Sequence, residues 1–187
     1  MTNRFEACVL PWGIWPWGIT LTHSDTDVTP ECRVEFGALV ARAPRPYEEL
    51  WVRVDFELAA FASARPHRDD EALADVTGYD IAALQGSGLE WEQYEAEWLR
   101  SGICPNPGIY FSTNSTWLDE CRGFWAARQR TDRSADEAFH FLLNGRDGYV
   151  ELLAAGFTWS AWRPGAPLLS NVSGEPIAGG TWSGADL

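Results

Sequence analysis

From Cys32 to Ala62 the chain alternates between apolar and polar residues, and that pattern fixes more about the fold than any other feature. In Cys32–Ala41, Val34, Phe36, Ala38 and Val40 fall on one side, with Arg33, Glu35 and Gly37 on the other. Tyr47–Ala62 repeats the pattern at greater length. Val52, Val54, Phe56, Leu58 and Ala60 point one way, and Trp51, Arg53, Asp55 and Glu57 the other. A period of two places these side chains on opposite faces of half-buried strands. Arg42–Pro46, with two prolines, joins the two strands as a hairpin-like pair.

The N-terminal segment is equally restrictive. Pro-Trp-Gly-Ile occurs at Pro11–Ile14 and again at Pro16–Ile19, with Trp15 between the copies. Proline lacks a backbone donor and clashes with a preceding helical turn, and each glycine costs a helix about 1 kcal/mol. The segment is therefore extended or turning. Its tryptophans are large, rigid side chains that suit either a core or a recognition surface. At period two, Trp15 and Trp17 share a face and Trp12 lies opposite. Trp15 and Trp17, together with Tyr149, are the candidates for ligand contact; the alternative is that they fill the core.

Charge narrows the range of partners. The 187 residues carry a net charge of −13, and all 14 basic residues are arginine. Such acidity disfavours nucleic acid, whose phosphates demand clustered basic residues, and it disfavours anionic membranes. It permits a basic protein partner and steering toward one. Asp69–Glu97 holds nine acidic residues and no basic one. Short helices are expected at Asp70–Ala74 and Asp80–Leu84. Ser87-Gly88-Leu89-Glu90 has the spacing of a capping box, which predicts a helix at Leu89–Arg100. On that helix Trp91, Tyr94 and Trp98 form one stripe. Glu90, Glu92, Glu95 and Glu97 lie mostly elsewhere, as candidates for binding a basic partner or simply as a solvated face.

Further along, Ile109–Ser112 reads as a short strand and Ser115–Cys121 as a helical turn capped by Ser115. Phe139–Leu143 and Tyr149–Ala154 flank Asn144-Gly145-Arg146-Asp147-Gly148, a strong hairpin signal. If the turn centres on Gly145-Arg146, His140 faces Glu151 across the hairpin. An imidazole beside a carboxylate is a candidate acid/base couple, or a satisfied structural pair. Cys8, Cys32, Cys104 and Cys121 are scattered, with neither a Cys-x-x-Cys nor zinc spacing, so neither metal nor cofactor is expected. There is no phosphate loop and no hydrolase or metalloprotease motif. The apolar start is broken by prolines, and no stretch reaches the roughly 20 apolar residues of a membrane span. The reading is a cytoplasmic protein with reduced thiols.

Two stretches carry a resemblance. Trp98–Tyr110, with Gly102-Ile103-Cys104-Pro105-Asn106-Pro107-Gly108, and His140–Glu151 resemble segments of small, uncharacterised bacterial proteins. The likeness implies a bacterial, cytosolic, single α+β domain and brings no catalytic residue. In composition the chain is also similar to toxin-neutralising immunity proteins. The expectation is one α+β domain over residues 1–162, a mainly antiparallel sheet packed by a few helices. A Gly-, Pro- and Ser-rich extended tail follows over residues 163–187. The leading function is a non-catalytic acidic protein that binds a basic protein partner, immunity-like or regulatory. The alternative is a small-molecule binder or enzyme with an aromatic-lined pocket at the sheet mouth, using His140 and Glu151.

Overall fold

A computed structural model describes residues 3–14, 20–24, 31–42, 45–57, 61–66, 77, 79–80, 91–128, 138–145, 148–163 and 175–184. The strands run β1 (Glu6–Ala7), β2 (Trp12–Ile14), β3 (Thr20–Ser24), β4 (Glu31–Arg42), β5 (Arg45–Glu57) and β6 (Phe61–Pro66). Helix α1 (Trp91–Ser101), β7 (Ile109–Ser112) and helix α2 (Thr116–Arg128) follow. The chain then forms β8 (Phe139–Asn144), β9 (Gly148–Ala154), β10 (Gly156–Trp162) and β11 (Ala178–Ser183).

The alternating stretch forms strands, and it divides where the sequence pattern runs on. β4 and β5 pair antiparallel, with Val34 opposite Val54 and Phe36 opposite Val52. The expected single strand Tyr47–Ala62 is two strands in different sheets. β5 joins the order β11-β10-β5-β4-β2, with β3 also on β4, while β6 joins the order β1-β7-β8-β9-β6. Alternation reports which face a side chain takes and is blind to which sheet its strand enters. The chain crosses between the sheets again at Ala155, which alone separates β9 from β10 and donates to the Glu57 carbonyl at 3.0 Å.

The fold is thus mostly antiparallel sheet, with helices α1 and α2 among the described residues, and the main core lies between two sheets. The expectation of one sheet packed by helices is corrected on this point. Val34, Phe36, Val52, Val54, Phe56 and Phe157 of one sheet meet Ile109, Phe111, Phe141, Leu143, Val150 and Leu152 of the other, all buried. Aromatic rings knit the interface, with Phe56–Phe141 centroids at 5.3 Å and Phe141–Phe157 at 5.6 Å. The segment expected as an extended tail supplies β11, whose Trp182 is buried and stacked on Phe157 at 5.6 Å and 7°.

The helices cover outer faces. α1 lies on the outer side of the larger sheet, where Leu39, Trp98 and Cys104 pack together with Tyr47 and Tyr94. Gly102 ends it in the left-handed region, at φ 70°, where its N–H still reaches the Trp98 carbonyl at 2.8 Å. α2 lies over the smaller sheet, with Leu118 and Trp117 against Leu153. The short helices expected within residues 70–84, and the capping box, lie outside the described residues apart from Asp80. Among the described residues no helix is long and apolar enough to cross a membrane.

Candidate functional site

β8 reads Phe-His-Phe-Leu-Leu and is buried on both faces, because the core covers one side and α2 with the N-terminal segment covers the other. His140 therefore points into a second, smaller interior. The hairpin turn is centred one residue later than expected, with Gly145 and Gly148 closing it and Asn144 opposite Tyr149. His140 accordingly lies opposite Leu153, and Glu151 opposite Leu142. Moving the turn centre by one residue shifts the pairing by two, which returns every side chain to the same face. The expected direct pair is therefore a diagonal one, and the two groups still meet, with Nε2 of His140 at 3.4 Å from Oε1 of Glu151. That is an ion-pair separation, longer than a good hydrogen bond.

Three distant segments complete the cluster. Ser115 caps α2, its Oγ accepting the Leu118 N–H at 3.0 Å, and the same oxygen lies 2.9 Å from Nδ1 of His140. Asn3 supports the same helix start by accepting from the Thr116 N–H and hydroxyl at 3.0 and 3.1 Å. The backbone of Asn3 and Phe5 pairs with Asp80, which fixes Tyr79 above the sheet. Tyr79 donates its hydroxyl to Oε1 of Glu151 at 2.5 Å. Arg65, on β6, reaches Oε2 of Glu151 at 3.9 Å from the surface. Phe5 and Trp117 each stand edge-on to the imidazole at 4.9 Å.

Electrostatics follow from these contacts. Burial pushes the Glu151 carboxyl up; contacts with His140, Tyr79 and Arg65 outweigh it and hold the carboxyl below its ordinary value. Burial and the Glu151 bond push the Tyr79 phenol well above its usual range. With Glu151 ionised, Nε2 carries a proton toward it, and in the neutral ring Nδ1 accepts the Ser115 hydroxyl proton. Hydroxyl, imidazole and carboxylate lie in a row, yet Ser115 and His140 are both 0% exposed and Glu151 only 4%. The helix N–H takes one of the two lone pairs on the serine oxygen, and burial leaves a substrate no open approach to the other. The cluster ties α2, β8, β9 and the N-terminal segment together.

The aromatic candidates divide. Tyr149 is buried among Phe5, Tyr110 and Leu142. Trp15 and Trp17 lie outside the described residues. Trp12, of the first Pro-Trp-Gly-Ile copy, is fully buried between Phe36 and Trp159. Its neighbour Gly13 has Cys104 Sγ 2.8 Å from where a Cβ would stand, so only glycine fits.

Of the acidic candidates, Glu92, Glu95 and Glu97 lie on α1. Glu92 is exposed. Glu95 is half-buried near Tyr47, whose phenol is raised by burial and by that carboxylate. Glu97 forks onto Arg100 at 2.6 and 2.9 Å. Glu90 lies outside the described residues. Glu49 was not singled out by the sequence. It is exposed on β5 opposite Leu39, the residue on which Trp98 of α1 packs. Only the strand register brings it there. Beneath the helix, Cys104 meets the Tyr94 hydroxyl at 3.3 Å, and burial raises its thiol to about 11 against the lowering effect of that bond. The thiol is therefore protonated at neutral pH. Among the described residues no three His, Cys, Asp or Glu side chains gather as a metal site. Compared with known protein families, with curated proteins and with solved structures, the chain shows no match to any of them.

Proposed function

We propose that the chain is a non-catalytic acidic protein that binds a basic protein partner, in an immunity-like or regulatory role in the cytoplasm. The observation that carries this reading is a contrast in access. His140 and Glu151, the best acid/base pair, are sealed inside the fold, whereas Glu92 of α1 and Glu49 face solvent. The net charge of −13 raises encounter rates with a cationic partner over distances of about a Debye length, roughly 10 Å at 0.1 M salt. Packed side chains then determine how long the complex lasts.

Fluorescence anisotropy with a labelled oligo-arginine peptide tests the reading. Binding is expected to weaken steeply as salt rises, and an oligo-glutamate control is expected not to bind. Binding that ignores salt would overturn the proposal.

A further inference from the structure

From its sequence α1 is an acidic helix; in the structure it is also the edge of an apolar surface. Among the described residues four large hydrophobic side chains are exposed: Val9 at 59%, Leu99 at 42%, Ile103 at 43% and Ile177 at 45%. Ile177 stands just before β11, and the other three lie on segments joined around the end of α1. Leu99 follows Glu92 by seven positions and Glu95 by four, so the three share one stripe of α1. The left-handed turn at Gly102 follows the helix directly, and the exposed Ile103 comes next in the chain. The Cys104 N–H then bonds to the Leu10 carbonyl at 2.7 Å, and Trp98 Nε1 bonds to the Pro11 carbonyl at 3.0 Å. These two bonds lay residues 10 and 11 alongside the helix end, with the exposed Val9 next in the chain.

Each exposed side chain is next in sequence to a fully packed one. Leu99 follows Trp98, Ile103 precedes Cys104, and Val9 lies between Cys8 and Leu10, all buried. The backbone under the patch is thus fixed before any partner arrives, which reduces the ordering cost of binding. Glu92 and Glu49 are exposed and, among the described residues, neither is ion-paired.

From this arrangement we infer that the α1 end is a two-part docking surface for a cationic amphipathic helix of a protein partner. Val9, Leu99 and Ile103 receive the helix's aliphatic stripe, and Glu92 and Glu49 receive its Lys and Arg residues. Charge complementarity selects this occupant: the same acidity that attracts a basic helix repels an anionic membrane. The inference rests on the binding reading above and adds the surface and the partner's chemistry.

The test uses two probes on the full chain: a helical leucine–lysine peptide with one apolar face, and oligo-lysine of equal charge. The Leu99→Ser, Ile103→Ser variant is expected to bind the amphipathic peptide at least tenfold more weakly, with oligo-lysine binding and salt dependence unchanged. Because both side chains are exposed, the variant is expected to keep its melting transition; Val9→Ser provides an independent substitution with the same expected direction. Wild-type affinity for the amphipathic peptide in both variants would overturn the two-part surface and leave the acidic reading standing. Loss of apolar binding in these variants, with no salt effect and no effect of Glu49→Gln, Glu92→Gln, would instead overturn the acidic reading.

Discussion

Replacing Glu151 with glutamine separates the charge of the buried cluster from its shape. Glutamine keeps a carbonyl to accept the Tyr79 hydroxyl, now 2.5 Å from the carboxylate, and it fills the same space. It removes the anion beside His140 at 3.4 Å and beside Arg65 at 3.9 Å. Arg65 is 63% exposed on its side chain, so its contribution is small. The Tyr79 bond falls from the charge-assisted class to the neutral one, a loss of about 1–2 kcal/mol. Removing a buried charge also relieves its desolvation. The net direction of the Glu151 carboxyl, below its ordinary value, decides between the two effects, because the fold favours the ionised over the neutral form. Glu151→Gln is therefore expected to be less stable at pH 7. For a chain of 187 residues that corresponds to a drop in melting temperature of about 2–8 °C. The folded-state carboxyl is depressed, so its contribution is present above the unfolded pKa of about 4.3 and is lost as pH falls through the folded value. Urea unfolding of both proteins at a series of pH values reads this directly. The curves should differ at pH 7 and converge in acid, because every other carboxylate is common to both. Equal or greater stability of the variant at pH 7, or a gap that persists in acid, would refute the reasoning.

Two further outcomes follow from the packing. Trp182→Ala is expected to lose about 3–5 kcal/mol, since Trp182 is 3% exposed and stacks on Phe157; unchanged urea stability would mean that β11 is not part of the packed body. Among the thiols, Cys121 is the one not buried, so iodoacetamide should modify it first, and Cys8, Cys32 and Cys104 only on unfolding; mass spectrometry showing early modification of Cys104 would contradict its place under α1.

Local features were legible in the sequence where local physics sets them. The alternation in β4 and β5, the bounds of β7, the Ser115 cap and the hairpin of β8 and β9 all rest on neighbours within a few residues. The split between β5 and β6 was not legible, because pairing partners more than 80 positions away decide it: Phe61 lies opposite Leu153. The meeting of His140 and Glu151 was foreseen with the wrong turn centre, and it survives because side-chain direction repeats every second residue. Tyr79, Arg65 and the second role of Ser115 had no sequence signal, since each reaches the cluster from a separate element. Tyr149 was a candidate for ligand contact, and the N-terminal segment, through Phe5, packs against it. The exposure of Leu99, Ile103 and Val9 had no sequence signal, since each is next in the chain to a buried residue.

The central claim is that the acids of α1 steer a basic partner. The most direct measurement is the stopped-flow association rate of an oligo-arginine peptide, as a function of ionic strength, with wild type and with Glu90, Glu92, Glu95 and Glu97 all changed to glutamine. The account predicts a slower rate for the variant at low salt and a flatter dependence on salt, with the two proteins converging at high salt. Identical rates and identical slopes would contradict it.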